Sequence, residues 1–364
     1  MTTTSPNTIA MMSAGSVDCD VHIGVPDNAA LLPYLEPYWR EQVTSRGIEA
    51  LDLATYPPKN PLSCRQDWKS GKGKPGTDLG VLQRNVLDDR GVALAICHAV
   101  YGGQVVLNAD LGAAICKAVN RWVREEWLDK EKRLRSSIVV PMQEPALAVA
   151  EIEHCAADSR FVQVLLLASG DMPLGKKYYW PIYEAAVRYN MPVGIHPGHA
   201  GRFAPTYVGW PSSHLEDYAA QSQSLQGQLL SLLYEGVFSQ FPTLKVVLME
   251  SGVSWLPGFC WRADNTWRAM RHEVPWLDRS PSETLHEHLR LTTQPFDVPD
   301  DPATLDALLQ QFPAEDMLLY ASDFPHFHFE GGKVLPCGIS HELATRIAVR
   351  NPVETYPRLS EASA

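Results

Sequence analysis

A carboxylate and an imidazole stand two positions apart near the N-terminus, at Asp20 and His22 in the segment VDCDVH. The apolar residues around them are typical of a short buried strand. Residues two apart on a strand project to the same face, so these side chains should lie side by side where the strand ends. Aspartate oxygens and imidazole nitrogens are both common ligands of divalent metals. The pair therefore indicates half of a metal site, whose other ligands must come from elsewhere in the chain.

The pattern that must position such ligands is an alternation of short apolar strands and helices, which becomes regular near residue 78. It predicts eight strands, at 17–22, 92–97, 136–140, 161–166, 192–196, 244–249, 289–292 and 317–320. Strands that alternate with helices run parallel and are joined by helical crossovers. Eight of them favour an α/β fold of the closed (β/α)8 TIM barrel type over an open sheet. No GxGxxG motif follows any strand, which argues against dinucleotide binding.

The remaining segments define the domain organisation. Residues 26–80 are dense in proline, glycine and aromatic residues and predict an inserted loop and helical region after strand 1, able to cover a site at the strand ends. Residues 1–15 are rich in threonine and serine and predict a flexible leader. Because no internal repeat or linker is evident, residues 16–358 are predicted to form a single domain.

The carboxyl ends of the predicted strands carry several side chains of the ligand type. The active sites of such barrels gather at these ends. A single histidine at a strand end is more often a hydrogen-bonded structural residue than a ligand, but joint placement on several strands is harder to explain by chance. The residues concerned are Asp20 and His22 after strand 1, His98 after strand 2, His196 after strand 5, Glu250 after strand 6 and Asp323 after strand 8.

Four motifs give the chain a family resemblance from residue 17 to about residue 356. The pattern resembles the amidohydrolase superfamily, in particular the branch that contains aminocarboxymuconate semialdehyde decarboxylase and the resorcylate-type decarboxylases. Two departures stand out: Asp20 replaces the first histidine of the usual His-x-His pair, and Glu250 stands where these enzymes commonly carry a catalytic histidine. The motifs are DCDVH at 18–22, IHPG at 195–198, FPTLKVVLMESG at 241–252 and ASDFPH at 321–326.

The resemblance implies one divalent metal ion bound by Asp20, His22, His196 and Asp323, with a water completing the shell. Zn²⁺ is expected, because it suits the mixture of histidine and carboxylate, and Mn²⁺, which suits a more oxygen-rich set, is the alternative. The ion would lower the pKa of its bound water and polarise a substrate carbonyl. Asp323 is expected to take the proton of that water. Glu250 is expected to act as a general acid or base or as a further ligand, the alternative being that it only fixes the barrel rim.

A charge count favours one reaction class over the other. Asp20, Glu250 and Asp323 bring three negative charges, and a divalent ion leaves the cluster at minus one, which weakens the attraction for a substrate carboxylate. The count predicts a metal-dependent hydrolase acting on a small organic substrate. The alternative is a carboxy-lyase, a non-oxidative decarboxylase of an aromatic or unsaturated acid. A third reading is a catalytically silent barrel that binds a ligand.

Further residues near the rim are candidates for substrate contact, although each has a structural alternative. The aromatic ones among them favour an aromatic or cyclic substrate, the alternative being that they serve packing, as most tryptophans in such helices do. The candidates are His98, His199, Trp210, Arg262, Phe324 and His326.

Composition limits partners and location. A net charge of −11 argues against nucleic acids and anionic membranes, which favour basic surfaces. No apolar stretch reaches membrane-spanning length, and the N-terminus lacks the features of a signal peptide. Seven dispersed cysteines without a CxxC pair indicate reduced thiols, so a cytoplasmic protein is expected. The resemblance suggests a homodimer, with the tryptophan-rich segment 255–276 as a possible interface.

Overall fold

Eight parallel strands, hydrogen-bonded in chain order, form the sheet that carries every candidate ligand. The computed structural model describes residues 14–51, 64–69, 73–198, 203–204, 206, 208–299, 301–326 and 335–361. The strands are β1 (Val17–His22), β2 (Leu94–His98), β3 (Leu134–Val139), β4 (Phe161–Leu167), β5 (Val193–His196), β6 (Val246–Leu248), β7 (Leu289–Thr292) and β8 (Leu318–Leu319). Each predicted strand is therefore present, with ends that differ from the prediction by up to two residues.

The barrel closes where the segment after β8 meets β1. The backbone N–H of Cys19 donates to the carbonyl of Tyr320 at 2.9 Å, and the N–H of Asp323 donates to the carbonyl of Asp20 at 3.0 Å. A further parallel bridge joins Val21 to Phe324. These contacts confirm the predicted (β/α)8 barrel.

Helices separate the strands and cover the outside of the barrel. They are α1 (Pro37–Ser45), α2 (Leu79–Leu82), α3 (Ala109–Val123), α4 (Pro145–Cys155), α5 (Trp180–Arg188), α6 (His214–Tyr234), α7 (Val237–Gln240), α8 (Leu256–Met270), α9 (Pro281–His288), α10 (Pro302–Leu309), α11 (Ala314–Met317), α12 (His341–Thr345), α13 (Asn351–Thr355) and α14 (Arg358–Glu361). Helices α2, α3 and α12 each continue past their α-helical part as a π-helical turn.

Helix α9 begins at a start signal that the sequence carries. Ser280 accepts a hydrogen bond from the backbone N–H of Glu283, and the Glu283 side chain accepts one from the backbone of Ser280. This reciprocal capping box, followed by Pro281 at the first helical position, satisfies backbone donors that would otherwise be left open. The helix is short, and its polar residues obscure its apolar face.

A chain of buried polar groups fills part of the barrel interior. The Tyr356 hydroxyl donates to Gln163 Oε1 at 3.1 Å, and Gln163 Nε2 donates to Ser137 Oγ at 2.8 Å. Ser137 Oγ in turn lies 2.9 Å from His98 Nδ1. Each of these side chains is fully buried. Because buried polar groups are stable only when paired, the network fixes the orientation of His98 from below.

The described part of the insertion after β1 contacts the segment after β8. Trp68 is buried, and its ring centroid lies 5.1 Å from that of Phe324. The guanidinium groups of Arg65 and Arg90 lie 4.4 and 5.2 Å from the Trp68 ring. The backbone N–H of Arg65 donates to the carbonyl of Pro325 at 3.1 Å. The insertion therefore packs on the carboxyl ends of the strands, as predicted.

The remaining sequence predictions concern the leader, the number of domains, the cysteines and membrane-spanning segments. Most of the predicted leader 1–15 lies outside the described residues, and the single-domain assignment for 16–358 stays a prediction. All seven cysteines are free. No helix in the described ranges has the length and apolar character needed to span a bilayer.

Gly175 tests the packing of α6 against the barrel. A Cβ atom at this position would overlap the backbone carbonyl of Ser231 on α6. Since backbone cannot yield as a flexible side chain does, Gly175→Ala should lower the free energy of unfolding by about 1–3 kcal/mol in a urea titration.

Gly258→Ala is the matched control, because a Cβ atom there meets no heavy atom within 4 Å and alanine favours the helix. Equal unfolding midpoints for the two variants would contradict the close approach at Gly175.

Candidate metal centre

Carboxylates and imidazoles converge at the carboxyl ends of four strands. Asp20 and His22 lie on β1, His196 ends β5, Glu250 follows β6, and both Asp323 and His326 follow β8. The side chains are largely buried: Asp20 and Asp323 are 0% exposed, Glu250 and His196 5%, and His326 7%. The fold therefore brings the four predicted ligands and Glu250 to one end of the barrel, with Asp323 outside the set of mutually close donors that Asp20, His22, His196 and Glu250 form.

The Nε2 atom of His22 is the centre of this cluster. It lies 3.1 Å from Glu250 Oε1, 3.1 Å from Asp323 Oδ1 and 3.4 Å from Asp20 Oδ1. The Nε2 atom of His196 lies 2.7 Å from the same oxygen of Glu250. One imidazole nitrogen thus faces three carboxylates.

The donor atoms fit a divalent cation. Within the described chain, neither carboxylate oxygen of Asp20 nor Nε2 of His22 has a hydrogen-bond partner, although all three atoms are buried. Buried polar atoms without a partner are costly, so this set is better explained by a shared ligand than by packing. Spacings of 2.7–3.4 Å also match those of donors that bind one ion at about 2.0–2.2 Å.

The donor atoms form two overlapping groups, and within each group they all lie within 4.8 Å of one another. The first contains Asp20, His22, His196 and Glu250, and the second contains His22, Glu250, Asp323 and His326. His22 and Glu250 belong to both groups. Glu250, which the resemblance left without a defined role, therefore has as central a position as His22.

The backbone turns sharply at two of the acidic residues. Glu250 has a φ of 50° and Asp323 a φ of 53°, in the left-handed region that residues other than glycine rarely adopt. Surrounding hydrogen bonds hold these conformations: the N–H of Glu250 donates to Thr292 Oγ1 at 3.2 Å, and the N–H of Asp323 donates to the carbonyl of Asp20. Strain of this kind concentrates at functional sites, where the surrounding structure stabilises it.

Burial and neighbouring charges shift the pKa values of the three carboxyl groups in opposite directions. Burial raises the pKa of Asp20 to about 6, against the opposite influence of His22 and His196. Burial and the charge of Glu250 raise the pKa of Asp323 well above its ordinary value. For Glu250, burial favours protonation, but His196 and His22 hold its pKa well below the ordinary value. The cluster therefore needs positive charge to keep its carboxylates ionised.

His98 lies beneath the cluster. Its Nε2 is 3.0 Å from the carbonyl of Cys19, and its Nδ1 contacts Ser137 Oγ. Burial, together with His22, lowers the pKa of His98 to about 3, so the ring is neutral. Because protein groups engage both ring nitrogens, the contacts favour the structural alternative over substrate binding.

The other residues predicted to contact substrate have different surroundings. His326 belongs to the cluster, with its ring centroid 4.8 Å from that of His22. Phe324 is buried against Trp68. Trp210 is 46% exposed, and Arg262 is exposed on α8. His199 lies outside the described residues. Substrate contact by these residues stays a prediction.

Tyr218 is a site residue that sequence reasoning missed. It lies on α6, one turn after the helix begins, and its hydroxyl donates to Glu250 Oε2 at 3.4 Å. Its position on a helix rather than at a strand end gave no signal in the sequence. Only the packing of α6 over the end of β6 brings it to the cluster.

Comparison with known proteins identifies decarboxylases among the relatives. A gamma-resorcylate decarboxylase from Polaromonas sp. (strain JS666) is 27% identical, over 69% of this chain and 81% of its own length. The structure of a dihydroxybenzoic acid decarboxylase from the same strain, with manganese and 2-nitroresorcinol bound, aligns with a TM-score of 0.67 and 18% identity, covering 94% of this chain and 97% of that one. A 5-carboxyvanillate decarboxylase from Novosphingobium aromaticivorans, with manganese and a nitrobenzoic acid bound, aligns with a TM-score of 0.70 and 15% identity, covering 97% and 100%.

The preference for a hydrolase was wrong, because these relatives are carboxy-lyases. The charge count behind that preference included the carboxylates and the ion but omitted the neighbouring donors. In the structure, the Tyr218 hydroxyl donates to Glu250 Oε2 at 3.4 Å, and His326 Nε2 lies 3.9 Å from Asp323 Oδ1. These groups offset the negative charge that seemed to exclude an anionic substrate.

The family itself follows from the length of the match. The amidohydrolase family model matches residues 17–358, which is the segment that contains the whole barrel and every member of the cluster. The chain therefore belongs to the amidohydrolase family.

Proposed function

We propose that this protein is a metal-dependent, non-oxidative decarboxylase of an aromatic acid that carries a hydroxyl group next to its carboxylate. The observation that carries the proposal is the buried cluster of carboxylates and imidazoles around His22 Nε2, at the catalytic end of a barrel. The name of the gamma-resorcylate decarboxylase relative supports the reaction and substrate class.

Asp20, His22, His196 and Asp323 would hold one divalent cation, as the resemblance implies. Three carboxylates in one cluster make an oxygen-rich site, which suits Mn²⁺ better than Zn²⁺. The manganese in the two related structures supports the same choice. When bound, the ion would supply the positive charge that holds the oxygens of the substrate and stabilises the charge developing on its ring.

The reaction needs a proton donor beside the substrate ring. The bond between the ring carbon and the carboxylate breaks, its electron pair stays on the ring, carbon dioxide leaves, and a proton adds to the same carbon. We assign that proton to Asp323, whose left-handed turn aims its carboxyl into the cluster. His326, 3.9 Å from Asp323 Oδ1, is placed to return the proton after each turnover.

Turnover of 2,6-dihydroxybenzoate tests the reaction. Mn²⁺-loaded enzyme should release carbon dioxide and resorcinol, and in D₂O the product should carry deuterium at the carbon that lost its carboxylate. Asp323→Asn should lower kcat by about a thousand-fold or more, because the donor is lost.

Asp278→Asn is the control, since the Asp278 side chain is 86% exposed and remote from the cluster. Metal content is measured in both variants to separate loss of the ion from loss of the proton. Metal-loaded enzyme that releases no carbon dioxide from 2,6-dihydroxybenzoate or 5-carboxyvanillate would overturn the proposal.

The expected homodimer is a separate proposal about partners. Within the tryptophan-rich segment 255–276, Trp261 is 57% exposed and Trp276 48% exposed. Light scattering after size exclusion should give about twice the chain mass of 40.4 kDa. Trp261→Glu should shift the protein to monomer, because a charge in an apolar interface is costly.

Tyr38→Glu, at an aromatic residue 61% exposed on α1, is the control and should leave the dimer intact. A monomeric wild-type protein, or a dimer unaffected by Trp261→Glu, would refute this interface.

A further inference from the structure

Glu250 contacts two of the residues proposed to bind the metal ion. Its Oε1 lies 2.7 Å from His196 Nε2 and 3.1 Å from His22 Nε2, the two imidazole nitrogens that the proposed metal site uses as ligands. A nitrogen that binds a metal does so through its lone pair, so it cannot donate a hydrogen bond from the same atom. With the ion bound, the short contacts to Glu250 must therefore be contacts between neighbouring ligands rather than hydrogen bonds.

The second oxygen of Glu250 is held from the opposite side. The Tyr218 hydroxyl donates to Oε2 at 3.4 Å, from the first part of α6. The backbone of Glu250 adopts a left-handed φ of 50°, and its N–H donates a hydrogen bond to Thr292 Oγ1. Contacts at both ends leave the carboxylate one orientation, with Oε1 between the two histidines.

The environment of Glu250 also argues against a purely structural role. The side chain is 5% exposed, and the described structure provides no lysine or arginine within ion-pair distance of it. With a metal ion bound, His22 and His196 would be neutral ligands and would not supply a positive charge, and a buried carboxylate without one is expensive. A cation bound to Oε1 compensates that charge directly.

We propose that Glu250 is a fifth ligand of the metal ion and that Tyr218 is a positioning residue, which holds Oε2 so that the carboxylate binds through Oε1. The inference rests on the proposed metal site but not on the reaction. The ion is then bound by three carboxylates and two imidazoles. Such a donor set favours Mn²⁺ relative to Zn²⁺ more than a set with an imidazole in place of Glu250 would.

Metal titration of the metal-free protein by calorimetry, in the absence of substrate, tests the assignment. Glu250→Gln should weaken Mn²⁺ binding by about a hundred-fold, because the amide is a far weaker ligand than the carboxylate. Tyr218→Phe should weaken it by about ten-fold, the usual effect of losing a group that orients a ligand. Glu250→His should lower the ratio of Mn²⁺ to Zn²⁺ affinity.

Tyr234→Phe is the matched control, because Tyr234 lies on the same helix and its hydroxyl donates to the carbonyl of Ala263, away from the cluster. The Mn²⁺ electron paramagnetic resonance spectrum provides a second readout, expected to change in Glu250→Gln and Tyr218→Phe but not in Tyr234→Phe. Thermal unfolding of the metal-free variants checks their folding. If Glu250→Gln does not fold, Glu250→Asp replaces it, since its shorter carboxylate should also bind Mn²⁺ more weakly.

Unchanged Mn²⁺ affinity in the folded Glu250 variant would overturn the ligand assignment, and unchanged affinity in Tyr218→Phe would overturn the positioning role. A general acid or base at Glu250 predicts the different pattern of normal Mn²⁺ binding with a lowered kcat. Because the titration uses no substrate, a failure of the proposed decarboxylation leaves its result intact.

Discussion

The crowding of three carboxylates around one imidazole nitrogen is the constraint on which the rest of the site depends. Two like charges about 4 Å apart repel by about 4 kcal/mol at the effective dielectric near a protein surface, and burial increases the cost. Asp20, Glu250 and Asp323 all lie within 3.4 Å of His22 Nε2 and are nearly inaccessible to water. The protein can keep all three ionised only with positive charge at their centre, which a bound cation would supply.

The fold meets this constraint by using the same contacts for barrel closure and for ligand placement. The hydrogen bond from the N–H of Asp323 to the carbonyl of Asp20 joins the two ends of the sheet and also fixes the distance between two ligands. The left-handed turns at Glu250 and Asp323 direct their side chains inward at the points where β6 and β8 end. An error in closure would therefore disturb the proposed metal site, and a bound ion would in turn stabilise the closed barrel.

The sequence alone predicted the strands, which alternate regularly with helices, and missed the features that arise from packing. The eight strands follow from apolar runs between helices, and their ends identified Asp20, His196 and Glu250 before any coordinates. The role of His98 could not be read in this way, because its bonds to Ser137 and Cys19 depend on how neighbouring strands are aligned. The contact between Tyr218 and Glu250 could not be predicted for the same reason, because no single residue in the sequence indicates how a helix packs.

The preference for hydrolysis shows where a count of charges by residue type fails. Adding three carboxylates to one divalent ion gives minus one, but the count omits His326, whose Nε2 lies 3.9 Å from Asp323 Oδ1; a proton on this imidazole would bring the cluster to neutrality. A neutral cluster no longer opposes an aromatic carboxylate. In the proposed reaction, a proton on His326 would both balance this charge and replenish Asp323, the residue assigned as donor. Charge balance and proton supply are thus met by the same imidazole, which links the electrostatics of the cluster to the chemistry proposed for it.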